Sequence, residues 1–188
     1  MNHAVFLDRD GTLLEEVNFL HRAEEVVLVP GAATALRGLR DAGFKLFIVT
    51  NQSGVGHGYF TLDDVENVHR RIREELEPAG VRFERIYIAP ETSAQPAHGR
   101  KPSPRFLFEA RDEFGVDLAR SYMIGDRLSD VECGANAGVR KSLLVRTGYG
   151  AGTERNAAEK LRDKVIVDNL AEAARWILGD WVNLDLGG

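Results

Sequence analysis

Two carboxylates with a single residue between them, Asp8 and Asp10, directly follow the apolar segment 4–7. A continuous apolar segment is typical of a strand buried on both faces of a parallel sheet, and ligands bind at the carboxyl ends of such strands. One carboxylate could attack a phosphorus atom while the other protonates the leaving oxygen and then activates water. A simple polar turn is the alternative interpretation, because Asp and the following Gly11 are ordinary turn residues.

Three more polar residues stand where they could join this pair. Thr50 follows the apolar segment 45–49, and Asp126 follows the short apolar segment 122–124. Lys101 precedes a helix that Ser103 is expected to cap. Taken singly, these residues are explained equally well as a turn residue, a helix cap and a surface charge. Because the carboxyl ends of parallel strands share one edge of the sheet, their occurrence in this order favours a common site.

A phosphate monoester is the substrate class that suits such a group. Its hydrolysis needs a nucleophile, a proton donor and positive charge around the phosphoryl group. Asp8 and Asp126 offer the oxygen ligands that Mg²⁺ prefers, and a cation between them would offset their repulsion of the dianion. Thr50 and Lys101 could donate hydrogen bonds to the phosphoryl group as it is transferred. Asp130, four residues after Asp126, can be interpreted as an exposed helix residue.

The elements that must position these residues alternate between strand and helix along the chain. This alternation predicts an α/β fold with a Rossmann-like parallel sheet flanked by helices and no large cap domain. We expect a single domain over residues 1–178, with a flap at 14–29 and a loop at 90–100. The last helix is predicted over 170–178, and the tail 179–188 is expected to be poorly ordered unless Trp181 packs onto the domain. The predicted strands begin at Ala4, Lys45, Arg85, Tyr122, Leu143 and Val165.

Composition and charge narrow the range of functions. The 188 residues carry a net charge of −5, which argues against a general nucleic-acid or membrane-surface binder. No apolar segment approaches the roughly 18 residues of a membrane span, and we expect a cytoplasmic, monomeric enzyme. The single cysteine, Cys133, excludes an intrachain disulfide and an all-cysteine zinc site.

The motifs resemble those of the haloacid dehalogenase superfamily of phosphotransferases. The resemblance rests on Asp8-x-Asp10-Gly11-Thr12, the strand ending at Thr50, Lys101 before a helix, and Gly125-Asp126-x-x-x-Asp130. It implies that Asp8 is the nucleophile and Asp10 the general acid and base, with Thr50 and Lys101 stabilising the phosphate. It also implies that Asp126 binds Mg²⁺ together with Asp8 and the backbone carbonyl of Asp10.

A narrower resemblance is to the heptose bisphosphate phosphatases and their histidinol-phosphate phosphatase relatives. It rests on the segments 6–13, 49–54, 58–60 and 100–102, with His21-Arg22. It implies removal of the 7-phosphate from D-glycero-D-manno-heptose 1,7-bisphosphate, with histidinol phosphate as the alternative substrate. The substrate-contacting residues that it implies are Asn18, Asn51, Gln52, Ser53, Arg100, Lys101 and Arg127.

The sequence departs from this family at two places. The loop before Arg100 commonly carries zinc-binding cysteines and a histidine, whereas here 90–100 offers only His98, which alone cannot form a tetrahedral site. We therefore expect no structural zinc, and a loop held by prolines and packing. His57 stands where relatives often have Arg, and its loss could weaken recognition of a distal phosphate.

Two other functions share parts of the pattern. A phospho-Asp signalling domain pairs acids with Thr and Lys, but its phosphoacceptor lies on a later strand. The Thr50-Asn51-Gln52 segment also resembles the phosphatase half of polynucleotide kinase phosphatases. The net negative charge of the chain argues against a polynucleotide substrate.

Overall fold

The computed structural model describes residues 2–186 and contains one sheet of six parallel strands. The strands are β1 Ala4–Leu7, β2 Lys45–Asn51, β3 Arg85–Ala89, β4 Tyr122–Gly125, β5 Lys141–Val145 and β6 Val165–Val167. Their order across the sheet is β3-β2-β1-β4-β5-β6. β1 lies at the centre and pairs in parallel with β2 and β4. The α/β fold with a parallel sheet is confirmed.

Helices cover both faces of this sheet. In the described part of the chain they are α1 Ala32–Asp41, α2 Ser53–Gly56, α3 Leu62–Leu76, α4 Arg105–Phe114, α5 Leu128–Ala137, α6 Gly150–Asn156, α7 Ala158–Leu161 and α8 Leu170–Leu186. Apolar residues of α1, α3 and α8 pack in one core cluster, and those of α4 and α5 pack in a second. Side chains of a strand alternate between faces, so Val5 and Leu7 enter the first cluster, whereas Ala4 and Phe6 enter the second.

The predicted flap, residues 14–29, folds back on itself. Leu14 and Leu28 form an antiparallel bridge, and the Glu15 amide donates to the Val27 carbonyl at 2.9 Å. The Leu14 side chain is buried in the first core cluster. These contacts fix the base of the segment, so its middle residues are presented beside the carboxyl end of β1.

At the end of the chain Trp181 packs onto the domain, which is the condition on which order in the tail 179–188 depended. Helix α8 does not stop at 178 but continues to Leu186, and the side chain of Trp181 is buried. Its ring lies 4.1 Å from the His3 ring and 5.0 Å from the Phe44 ring, measured between centroids. The helix continues because its far half packs on the domain; residues 187 and 188 lie outside the described range. No helix within residues 2–186 is long and apolar enough to cross a bilayer.

Candidate active site

Asp8 and Lys101 form the centre of the site. Asp8 follows β1, and its amide donates to the Ile124 carbonyl of β4 at 2.9 Å. The Lys101 Nζ lies 2.7 Å from Asp8 Oδ1 and 2.6 Å from Asp130 Oδ1. Burial disfavours the ammonium, but the charges of Asp130 and Asp8 outweigh it and raise the pKa of Lys101. The lysine is therefore a fixed cation beside the carboxylate that sequence analysis assigned as the nucleophile.

Asp130 is buried, so its interpretation as an exposed helix residue is wrong. Its Oδ2 accepts a hydrogen bond from the Arg127 amide at 2.9 Å and thereby caps the start of α5. Its Oδ1 contacts the Lys101 ammonium. The spacing of four residues from Asp126 was the available signal, but a helix residue at that spacing is buried only if the first turn faces the sheet.

Three carboxylates converge at the carboxyl ends of β1 and β4. Ligand atoms of Asp8, Asp126 and Asp130 all lie within 4.8 Å of one another, and all three side chains are buried. Burial raises the pKa of Asp8 to about 8 and that of Asp126 to about 7, with Asp130 adding to both shifts. Buried carboxylates this close are costly unless a cation offsets their charge.

This cluster fits a divalent cation. Asp126 Oδ2 accepts from the Tyr149 amide at 2.8 Å, whereas Asp126 Oδ1 is buried and has no hydrogen-bond donor among the described residues. Buried polar atoms without partners are rare in folded proteins and call for an explanation such as an ion. A hard cation with oxygen ligands would satisfy this atom, as sequence analysis expected for Mg²⁺.

The turn after β1 brings the loops of this edge close together. Gly11 has φ +76°, and a Cβ there would lie 2.3 Å from Asp126 Oδ2. A larger residue at position 11 would therefore push the carboxylate of Asp126 out of the cluster. The Gly11 carbonyl also accepts a hydrogen bond from Thr147 Oγ1 at 2.6 Å.

The Asp10 side chain lies outside the three-carboxylate cluster and is held by other groups. Gln52 Nε2 donates to Asp10 Oδ2 at 2.9 Å and to Thr50 Oγ1 at 2.8 Å. Arg9 Nε donates to both Asp10 oxygens, at 3.0 and 3.1 Å. Because the Thr50 oxygen accepts from Gln52, its own hydrogen is left to donate. The metal contact expected from the Asp10 backbone carbonyl stays a prediction.

A cavity of about 790 Å³ opens above these residues. Nine of the predicted site residues line it: Asp8, Asp10, Asn18, Asn51, Gln52, Ser53, Arg100, Lys101 and Arg127. Thr50 and Asp126 are buried beside it.

Two arginines stand on one wall of the cavity. Arg127 lies over the Tyr149 ring, 3.9 Å from its centroid, and Arg100 donates to the Glu91 carbonyl at 2.9 Å. Burial and the nearby Arg127 charge lower the pKa of Arg100, while Glu91 opposes this shift. Arg100 and Arg127 both line the cavity and present their guanidinium groups to an anionic ligand.

Glu16 and Tyr149 are among the cavity-lining residues that sequence analysis did not assign. Glu16 lies near Tyr149, and partial burial with the Asp10 charge raises the pKa of its carboxyl group. Tyr149 supplies both the amide that binds Asp126 and the ring under Arg127. Neither position belongs to a recognisable motif, and both depend on the packing of distant loops.

The loop 90–100 is held by side chains around it. His98 Nε2 lies 2.5 Å from Glu109 Oε1 of α4, and Gln95 Oε1 accepts from the Thr92 amide at 2.8 Å. Gly99 packs so closely on the Phe106 ring that a Cβ would lie 2.6 Å from it. The contacts of His98 and Gly99 connect the loop to α4, and the bond between Gln95 and Thr92 lies within the loop. The expected absence of structural zinc stays a prediction.

Known proteins resemble this chain over almost all of its length. A family model described as HAD-hydrolase-like matches residues 98–173. A D-glycero-D-manno-heptose-1,7-bisphosphate 7-phosphatase of Thermosynechococcus vestitus is 37% identical, covering 93% of this chain and 94% of that protein. The same-named protein of Chlorobaculum tepidum is 36% identical, with 96% and 97% covered.

A solved structure shows the same arrangement of the chain. The D,D-heptose 1,7-bisphosphate phosphatase of B. bronchiseptica, complexed with magnesium and phosphate, is 28% identical and superposes with a TM-score of 0.86. The match covers 95% of this chain and 99% of that one. Because sequence and fold agree over nearly the whole chain, it belongs to the haloacid dehalogenase-like phosphatase family that includes the heptose 1,7-bisphosphate 7-phosphatases.

Proposed function

We propose that this chain is a Mg²⁺-dependent phosphatase that removes the 7-phosphate of D-glycero-D-manno-heptose 1,7-bisphosphate through an aspartyl phosphate on Asp8. The observation that carries the proposal is the buried contact of Asp8 with Lys101 at the base of the cavity, with Asp10 lining the same cavity. The names of the relatives support the choice of substrate.

In the first step, Asp8 attacks the phosphorus atom, and the bond between phosphorus and the sugar oxygen breaks. Asp10 gives its proton to that oxygen, so the sugar leaves as a neutral alcohol. Lys101 and the Thr50 hydroxyl donate to the phosphoryl oxygens, where negative charge accumulates. The products of this step are the dephosphorylated C7 hydroxyl and phosphorylated Asp8.

In the second step, Asp10 takes a proton from water, and the water oxygen attacks phosphorus. The bond between phosphorus and Asp8 breaks, which releases inorganic phosphate and restores the Asp8 carboxylate. Asp8 and Asp126 would hold Mg²⁺, with Asp130 beside them; the bound ion would neutralise charge on the phosphoryl group and its carboxylate neighbours. The residues themselves orient the nucleophile and move the protons.

The cavity favours a small substrate with two anionic ends. Its volume lies within the range of about 300 to 1,000 Å³ that is usual for small-molecule sites. Arg100 and Arg127 line it together with the catalytic residues and would bind the phosphate that is not hydrolysed. Residues 2–186 include no inserted cap domain, so residues of the flap and of the loop 90–100 would contact the sugar.

The test is release of inorganic phosphate from a panel of phosphorylated compounds. Purified protein with Mg²⁺ is assayed on both anomers of heptose 1,7-bisphosphate, on histidinol phosphate and on simple sugar phosphates, with Asp8→Asn as control. We expect rapid release of one phosphate from heptose bisphosphate, abolished by Asp8→Asn or by chelation of Mg²⁺. Turnover of histidinol phosphate alone would overturn the substrate but retain the reaction class. Full activity of Asp8→Asn would overturn the mechanism.

A further inference from the structure

Arg9 is a fully buried arginine between the two catalytic carboxylates of the sequence, and the mechanism above gives it no role. Its guanidinium contacts three different elements. On one side Nε donates to the carboxylate of Asp10, and Nη2 lies 3.0 Å from Asp10 Oδ2. Nη2 also donates to the Leu20 carbonyl in the flap at 3.2 Å. On the far side Nη1 lies 3.4 Å from Nε2 of His69 in α3.

His69 must be neutral to make this contact. An arginine has no acceptor atom, so His69 Nε2 has to offer its lone pair and the proton has to sit on Nδ1. Nδ1 is buried and lies 3.6 Å from Glu66 Oε2, just beyond hydrogen-bond distance. Burial, and then the charges of Arg9 and Arg73, lower the pKa of His69 to about 3. The ring therefore packs behind the guanidinium as a neutral group and does not add a second positive charge beside Arg9.

This arrangement leaves Asp10 as the acidic partner of Arg9 among the described contacts. A carboxylate at position 69 would draw the guanidinium toward α3, whereas a neutral acceptor supports it in place. Asp10 is consequently held between Arg9 on one side and Gln52 on the other. Two donors that approach one carboxyl group from different elements fix both its position and its angle.

We propose that Arg9, supported from behind by neutral His69, is the positioning residue for Asp10 and couples the general acid and base to the flap through the Leu20 carbonyl. The inference rests on the proposed function, in which Asp10 protonates the leaving oxygen and later activates water. Without the contacts from Arg9 and His69, the Asp10 carboxyl group rotates away from the leaving oxygen in the first step and from the water oxygen in the second. Substrate binding depends on other residues and is retained.

The test separates the two steps with p-nitrophenyl phosphate, whose leaving group departs without protonation. Loss of Asp10 alignment then slows only the hydrolysis of phosphorylated Asp8. In His69→Leu with Mg²⁺, stopped-flow should show a burst close to one p-nitrophenolate per enzyme, followed by steady turnover about tenfold slower than in the wild type. On an alkyl phosphate, which does need a proton, kcat should fall by about tenfold or more while KM stays within about twofold.

Matched variants exclude a purely structural effect. His69→Gln places an amide oxygen near the position of Nε2 and should restore kcat to within about threefold of the wild type, because it still accepts from Arg9. Ile72→Val, one turn further along α3 in the same core, should lower the melting temperature without a burst or a change in kcat. If His69→Leu fails to fold, Arg9→Lys is tested in the same way. Lysine keeps the positive charge but lacks the planar guanidinium that binds several acceptors at once.

The outcomes distinguish this inference from the proposed function. Wild-type protein that releases no phosphate from any monoester with Mg²⁺ would overturn the proposed function. An active wild type in which both His69→Leu and Arg9→Lys turn over normally would overturn the positioning role alone. A loss in His69→Leu that His69→Gln does not restore, or that Ile72→Val reproduces, would also overturn it.

Discussion

The side chain of Asn51 holds the backbone of Lys101 by two hydrogen bonds. Asn51 Nδ2 donates to the Lys101 carbonyl at 3.2 Å, and the Lys101 amide donates to Asn51 Oδ1 at 3.0 Å. Sequence analysis assigned Asn51 to substrate contact, yet both ends of its amide are already bonded within the protein. Asn51 thus joins the end of β2 to the residue whose ammonium reaches Asp8, and its contact with substrate stays a prediction.

We expect Asn51→Ala to lower kcat by about tenfold, because a small displacement of the Lys101 ammonium weakens stabilisation of the transferring phosphoryl group. The free energy of unfolding should fall by about 1–3 kcal/mol, since two backbone groups lose their partners. Phosphate release and urea denaturation measure the two effects. Asn136→Ala is the matched control: Asn136 donates to the neighbouring Pro102 carbonyl at an exposed position. Equal kcat values in all three proteins would contradict this role of Asn51.

Mg²⁺ should stabilise the protein more at pH 8 than at pH 6. Burial raises the pKa of Asp8 to about 8 and of Asp126 to about 7, above the ordinary value of 3.8. The native carboxyl groups therefore keep protons that the unfolded chain has lost, and the metal-free protein loses stability as pH rises from 4 to 8. Mg²⁺ needs the deprotonated groups, so protons compete with it in this window.

Thermal unfolding with and without saturating Mg²⁺ at the two pH values measures this difference. For each proton that must be displaced, affinity should weaken by about tenfold per unit of pH below the raised pKa. Asp126→Asn is the control, because the amide oxygen can still accept from the Tyr149 amide but the charge is gone. An equal shift of the melting temperature at pH 6 and pH 8 would argue against a metal bound by these carboxylates.

Much of the fold could be predicted from the sequence because the strands are short apolar segments that lie between recognisable helices. The predicted first residues of β3, Arg85, and of β6, Val165, are confirmed, whereas β5 begins at Lys141 and not at Leu143. The prediction ended the last helix at 178, whereas α8 continues to Leu186. The contacts that stabilise α8 beyond residue 178 are made with residues distant in the sequence. Asp180 accepts hydrogen bonds from the Tyr122 hydroxyl at 2.7 Å and from Arg140 Nε at 2.6 Å.

In the site, too, the sequence could predict the positions of some residues but not their contacts. Asp8, Lys101 and Asp126 could be placed because each follows a strand or precedes a helix at one edge of the sheet. Which side chain touches which atom could not be predicted, since it depends on how separate loops approach. Asp130 binds the ammonium of Lys101, which is distant in the sequence, so spacing could not reveal that contact. Arg9 is the neighbour of Asp10 in the sequence, but nothing in the sequence showed that its guanidinium is buried and directed at the Asp10 carboxylate.

Acid should destabilise the protein partly through His69. Its pKa of about 3 in the folded protein lies below the ordinary value of 6.5, because burial and the charges of Arg9 and Arg73 exclude a proton. The unfolded chain binds that proton, so the stability is fully present above pH 6.5 and is lost as pH falls toward 3. Between pH 6.5 and pH 5, the wild type should lose about 2 kcal/mol more than His69→Gln.

Urea denaturation of the wild type and His69→Gln at several pH values measures this difference. Both proteins have the same carboxylates, so the contribution of these groups to the pH dependence cancels in the comparison. Glu66, whose carboxylate faces Nδ1 at 3.6 Å, would assist protonation of the ring and therefore limits the effect. Identical pH profiles for the wild type and His69→Gln would mean that the ring gains its proton in the folded protein as readily as in the unfolded chain. That outcome would also remove the argument for a neutral acceptor behind Arg9.

Trp181 should stabilise the domain without affecting catalysis. Its ring packs on His3 and Phe44, which precede β1 and β2 at the edge of the sheet opposite the carboxylates. We expect Trp181→Ala to lower the free energy of unfolding by about 3 kcal/mol, the cost of removing a large buried ring. Val182→Ala, at an exposed position next to it, should cost less than about 0.5 kcal/mol. Urea denaturation distinguishes the two, and kcat should be unchanged in both. A loss as small for Trp181 as for Val182 would show that α8 beyond 178 does not contribute to the core.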